Sequence, residues 1–183
     1  SLNPVGIYLH INDTGGNSNS VRVSDGVLRL KALQGTSGTT VGTESRMRVT
    51  GSNSVIQADP VTASYVAGVA YDTNNELLVD GGSQIFLGNF FAAYATGSFS
   101  NQVRVSGNGT KWDNSGTVLS VVNAVKTSQW NSVIVEAGAI LTNVSTLSLC
   151  SGTPTTGGQS SNNSVIVDGG KLYATTLNSP NLE

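Results

Sequence analysis

The phrase NSVIVEAGAIL begins at Asn131, and NSVIVDGGKLY begins at Asn163. They are the two clearest copies of a unit that runs through the whole chain. An apolar-x-Val triplet ends at Val23, Val49, Val79, Val105, Val135 and Val167, with steps of 26, 30, 26, 30 and 32 residues between copies. Any two successive steps span 56 residues, except the last two, which span 62 and include the Gly/Ser/Thr-rich stretch at 151–162. A period of this size marks a stacked architecture, because one copy can bury its apolar face only against its neighbours.

The copies themselves specify strands. Each triplet alternates apolar and other side chains around β-branched residues, which predicts a short strand with one face buried. A Gly-bearing turn follows, then a second short apolar segment (27–30, 85–87, 139–141 and 171–173) and a third (40–42, 66–69, 118–121 and 147–149). Helical spacing of apolar residues is never sustained, so no helix is expected. A propeller blade needs about 40–45 residues, more than one copy supplies. The expectation is an all-β chain, a single parallel β-helix of about six turns at the usual spacing of about 4.8 Å per turn. It would occupy residues 1–181 as one domain cut from a longer protein, with 182–183 a cloning remnant.

Two residues before each triplet stands Asn19, Asn75, Asn101, Asn131 or Asn163; only the second copy differs, with Ser45. Amides stacked at strand spacing can bond to one another along a ladder and so satisfy groups that burial would otherwise orphan. After the triplet, the copies come in two forms. One places an acid or Ser before the glycine, as in VDGGSQIFL; the other places Ser or Thr directly before it, as in VTGSNSVIQ. The forms alternate until the copies at Asn131 and Asn163, which are both of the first form, so a lost or remodelled copy is expected between them.

Composition narrows the function. Charged residues make up 11% of the chain and the net charge is −2, with no basic run; nucleic-acid binding is not expected. No apolar stretch reaches the length of about 18 residues that a membrane-spanning helix needs. Cys150 is alone, which excludes a disulfide framework and points to a small buried side chain.

Chemistry is sparse. His10 is the only histidine and alternates with Leu9 and Ile11, as an outward strand residue would. Oxygen-rich stretches at 12–13 and 72–76 lack a calcium-loop pattern, so neither a metal nor a cofactor is expected. Asp80, Glu136 and Asp168 share the position after the triplet Val. Stacked carboxylates can serve as acid and base in glycoside hydrolysis, but Asp80 and Glu136 would lie about 10 Å apart by strand spacing, outside the inverting range of about 6.5–9.5 Å. Their plainer role is to start the turn. The middle triplet residues are Arg22, Arg48, Leu78, Arg104, Ile134 and Ile166. The three arginines form a candidate contact stripe for acidic glycans or a partner, or else protect a flat sheet. Ile134 and Ile166 would face outward, which suggests a covered or self-associating face. Phe86, Phe90, Phe91, Tyr94 and Phe99 cluster within 14 residues; they either fill one wide turn or stack on sugars. Trp112 reads as packing, and Trp130 has no assigned role.

The stretch NQVRVSGNGTKWDNSGTVLSV (101–121) resembles the repeat of β-helical passengers in autotransporter-like surface proteins of Gram-negative bacteria, through Asn101, Val103, Val105, Gly107, Gly109, Trp112, Asn114, Ser115 and Gly116. Residues 131–141 and 163–173 resemble the partner form of that repeat, whereas 45–100 departs most. The resemblance implies an exported, surface-displayed protein. The functional expectation is therefore a non-enzymatic surface module, adhesin or stalk, with self-association at solenoid ends or at the Ile134/Ile166 face. The alternative is a carbohydrate-binding or carbohydrate-active β-helix.

Overall fold

In the computed structural model the described residues are 8–12, 18–36, 43–67, 72–95, 97–123, 128–150 and 160–178. The chain ends assigned to the domain limits and the remnant at 182–183 lie outside them, as does most of the 151–162 stretch. The described residues hold sixteen strands, β1 to β16, and no helix.

One sheet is built by the triplets. It stacks β2 (Ser20–Ser24), β5 (Arg46–Thr50), β8 (Glu76–Asp80), β11 (Gln102–Ser106), β13 (Ser132–Glu136) and β15 (Ser164–Asp168), each parallel to the next. Register is kept throughout: Val49 pairs with Val79, Val103 with Val133, and Val133 with Val165. A second face stacks β3 (Val27–Leu30), β6 (Val55–Ala58) and β9 (Gln84–Phe86), and a third stacks β1 (Tyr8–Asn12), β4 (Ala32–Thr36), β7 (Ser64–Ala67) and β10 (Phe90–Ala93). The two faces merge in the later turns. β12 (Lys111–Val122) pairs with β9 through its first half and with β10 through its second, and β14 (Ile140–Ser148) and β16 (Lys171–Asn178) continue the stack. This is a single parallel β-solenoid of about five turns carrying six rungs on its triplet face.

β4 departs from expectation. The third segment of the first copy is Ala32–Thr36, and the 40–42 stretch named for it lies outside the described residues. ALQGT has little alternation of its own; pairing with β1 and, at Gln34–Tyr65, with β7 makes it a strand. No copy is missing before the last one either. β13 and β15 are adjacent rungs, and the two sequence forms differ in turn length, with two or three residues in the first form and four in the second. Four residues separate β5 from β6 and β11 from β12, whereas three separate β8 from β9 and β13 from β14. Turn length varies without disturbing the stack.

The interior is filled by columns. Val49, Val79, Val103, Val105, Val133 and Val135 are fully buried beneath the triplet face, and Ile56, Ile85, Trp112 and Leu141 line the second. Trp112 meets Phe90 edge to face, with centroids 4.6 Å apart. A void bounded by Leu33, Met47, Val66 and Leu77 holds about 10 Å³, which leaves at most a single water's room.

Candidate functional site

The asparagines form a continuous ladder inside one corner. The Asn75 Nδ2 donates to Asn101 Oδ1 at 2.9 Å, Asn101 Nδ2 to Asn131 Oδ1 at 3.0 Å, and Asn131 Nδ2 to Asn163 Oδ1 at 3.0 Å. Each Oδ1 also accepts the backbone N–H one rung earlier, from Ser45 (2.9 Å), Asn75 (3.1 Å), Asn101 (3.1 Å) and Asn131 (3.0 Å). The second amide hydrogen of Asn101, Asn131 and Asn163 goes to the carbonyls of Asp72, Ser98 and Ser128. Asn75, Asn101 and Asn131 are at most 1% exposed. Asn is suited to this position because a planar amide accepts and donates in opposite directions along the stack. Asn19 holds the same register one rung before Ser45 and is exposed.

The corner has a backbone signature that composition conceals. The residue before each ladder position is left-handed without being glycine: Ser18, Glu44, Asn74, Ser100, Trp130 and Asn162 have φ between 56° and 61°. Their N–H groups bond to the next rung, as in Asn74 to Phe99 O and Trp130 to Ser161 O. A hydroxyl column marks the turn after the triplet face. Ser54, Ser83 and Thr110 are buried; Ser54 Oγ accepts the Asp25 N–H, and Thr110 Oγ1 accepts the Gly82 N–H at 3.0 Å and donates to Ser106 O at 2.8 Å. The signal for this column was the Ser or Thr that closes each of these three turns, directly before the next strand.

The candidate arginine stripe is largely engaged from within. Arg48 grips Asp80 one rung on, with Nη2 to Oδ2 at 2.6 Å and Nε to Oδ1 at 3.4 Å. Arg104 donates to Glu136 at 2.8 Å and to Gln102 through two nitrogens. Leu78 stands between Arg48 and Arg104 in the column, so the stripe is not continuous. Burial works to raise the Asp80 carboxyl, but hydrogen bonds from Arg48 and Thr50, together with the charges of Arg48 and Arg22, outweigh it and hold the group below the usual carboxylate range. The same contact raises the Arg48 guanidinium. Arg22 is exposed, and its charge also favours ionised Asp80.

Ile134 is 8% exposed although it occupies an outward triplet position, flanked in its column by Arg104 and Ile166. Ile166 lies on the last rung and is 44% exposed. The aromatic cluster divides. Phe90 is core, while Tyr65 and Phe91 stand side by side on adjacent rungs with Tyr94 stacked on Tyr65 (5.1 Å) and edge-on to Phe91 (5.2 Å). Cys150 is buried. His10 lies in β1 opposite Gln34. Among the described residues no group of three or more His, Cys, Asp or Glu side chains could hold a metal ion, and no helix is long and apolar enough to cross a membrane. A recess of about 420 Å³ lies near the last two rungs, lined by Gly116, Asn143, Tyr173 and other uncharged residues.

The fold and ladder define the class as a parallel β-solenoid built from one repeat. No family model, curated protein or solved structure matches the chain.

Proposed function

We propose that the chain is a non-catalytic rod segment of an exported bacterial surface protein, serving as stalk or adhesin. The observation that carries this reading is the use of the repeated polar groups. Asn75, Asn101, Asn131 and Asn163 bond to one another and to backbone, and Asp80 and Glu136 bond to Arg48 and Arg104. In the central rungs the side chains that recur are consumed between rungs, which is what a spacer of variable length requires. A general acid needs a raised pKa, and Asp80 is lowered. Labelling of intact cells of the source organism by antibody against the chain tests the reading: label on unpermeabilised cells is expected, and label only after permeabilisation refutes it.

One observation favours the second reading, a carbohydrate-binding β-helix. Trp130 is 60% exposed at a corner whose other occupants are Ser, Glu and Asn. Nothing comparable favours carbohydrate cleavage.

A further inference from the structure

We infer that Trp130 is a stacking platform for a neutral pyranose ring. The corner column shows why this residue needs an explanation beyond the fold. All six of its occupants are left-handed, and Ser18, Glu44, Asn74, Ser100 and Asn162 are small or polar. Asn tolerates that backbone well, whereas a bulky aromatic there is an outlier. The indole gains little in return, being 60% exposed and without a hydrogen bond or ring contact among the described residues. A local rule broken without structural compensation points to a functional position.

The backbone beneath the ring is held on both sides. Trp130 N–H bonds to Ser161 O at 3.3 Å, Ser100 N–H to Gln129 O at 3.1 Å, and the neighbouring Asn131 is locked into the ladder. A platform fixed in advance loses little freedom on binding.

The surroundings select the ligand. One rung to each side the column offers exposed Ser100 and Asn162, at about 4.8 Å spacing. The first position of the triplet face carries Gln102, Ser132 and Ser164 at these rungs. The nearest charge in the corner column is Glu44, three rungs away, and in the first triplet column it is Glu76, two rungs from Ser132. An aromatic face is electron-rich, so it repels an anion, and a cation would be better held beside acids that this corner lacks. A sugar presents a C–H face to the ring and hydroxyls to the amide and hydroxyl rim.

This assignment rests on the surface-module reading but can fail separately from it, since a stalk need bind nothing. Trp112 is fully buried, so a change in tryptophan quenching reports Trp130. Acrylamide quenching would be followed with millimolar cellohexaose, chitohexaose, mannohexaose, a sulfated oligosaccharide and tetramethylammonium. At least a twofold drop in quenching with one of the neutral hexasaccharides is expected. Trp130→Asn should abolish that response while leaving Tm equal to or above that of the parent. The inference is overturned if no neutral hexasaccharide protects the indole, if only the sulfated sugar or the ammonium does, or if Trp130→Asn lowers Tm.

Discussion

Replacing Asn101 by Ala removes four hydrogen bonds at one stroke. Its Oδ1 accepts from the backbone N–H and the Nδ2 of Asn75 (3.1 and 2.9 Å), and its Nδ2 donates to Asn131 Oδ1 and Asp72 O (3.0 and 3.1 Å). All three residues of the local ladder are buried, so water has no access to replace what is lost. At about 1 kcal/mol net per bond the loss is about 4 kcal/mol, and more if the buried groups stay unpaired. Asn163 is the control. It makes three such bonds, but at the half-buried end of the ladder, where water can take over; its replacement by Ala should cost about 1 kcal/mol. Urea unfolding followed by far-ultraviolet circular dichroism gives both values. A cost below about 1.5 kcal/mol for Asn101→Ala, or equal costs at the two positions, would refute the reasoning that the ladder stabilises by burial as well as by bonding.

Three further outcomes follow from local geometry. A Cβ added at Gly88 would lie 2.0 Å from the Pro60 carbonyl oxygen and 2.4 Å from its Cα, whereas one added at Gly116 meets nothing within 4 Å. Gly88→Ala should therefore lower stability by more than about 3 kcal/mol by forcing backbone apart, and Gly116→Ala, where φ is +73°, by only about 1 kcal/mol; calorimetric Tm values in which Gly116→Ala is the worse variant would contradict this. Asp80 titrates below its ordinary value in the folded chain, so its contribution is complete above the unfolded pKa of about 3.9 and fades as pH falls through the folded pKa. The Tm gap between the parent and Asp80→Asn should be present at about pH 7 and close towards about pH 2; a gap that persists at low pH would show that the carboxylate charge is not its source. Arg104→Ala should reduce stability by about 1 kcal/mol, since its bond to Glu136 is only partly buried and water reaches both groups. A larger loss in urea titration would mean that Arg104 also supports the buried Ile134.

The strands of the triplet face and the asparagine ladder were legible because each is written once per rung, and repetition separates a stacking position from accident. The alternating turn forms misled for a physical reason. Val135 and Val167 stack directly, yet a parallel stack fixes register through strand pairs and leaves the turn free to hold two to four residues, so turn chemistry does not count rungs. β4 was misplaced because ALQGT is a strand through its partners rather than its own pattern. The left-handed corner went unseen because no glycine marks it, and Trp130 drew no role because its oddity lies in φ and exposure, which no spacing encodes. The outward isoleucines suggested a covered face; Ile134 is indeed covered, whereas Ile166 on the last rung is 44% exposed. The arginine column was visible, but the cross-rung carboxylates that occupy Arg48 and Arg104 depend on which turn residues the stack brings alongside.

The ladder itself offers the most direct test. Nuclear Overhauser spectra of the labelled protein should link the side-chain amide protons of Asn75 to Asn101, Asn101 to Asn131, and Asn131 to Asn163, across sequence separations of 26, 30 and 32 residues. Exchange of the Asn101 and Asn131 amides with solvent should be slower than that of Asn163. Cross-peaks absent between consecutive asparagines, with all four amides exchanging as fast as in an open chain, would contradict a solenoid that stacks one repeat per turn.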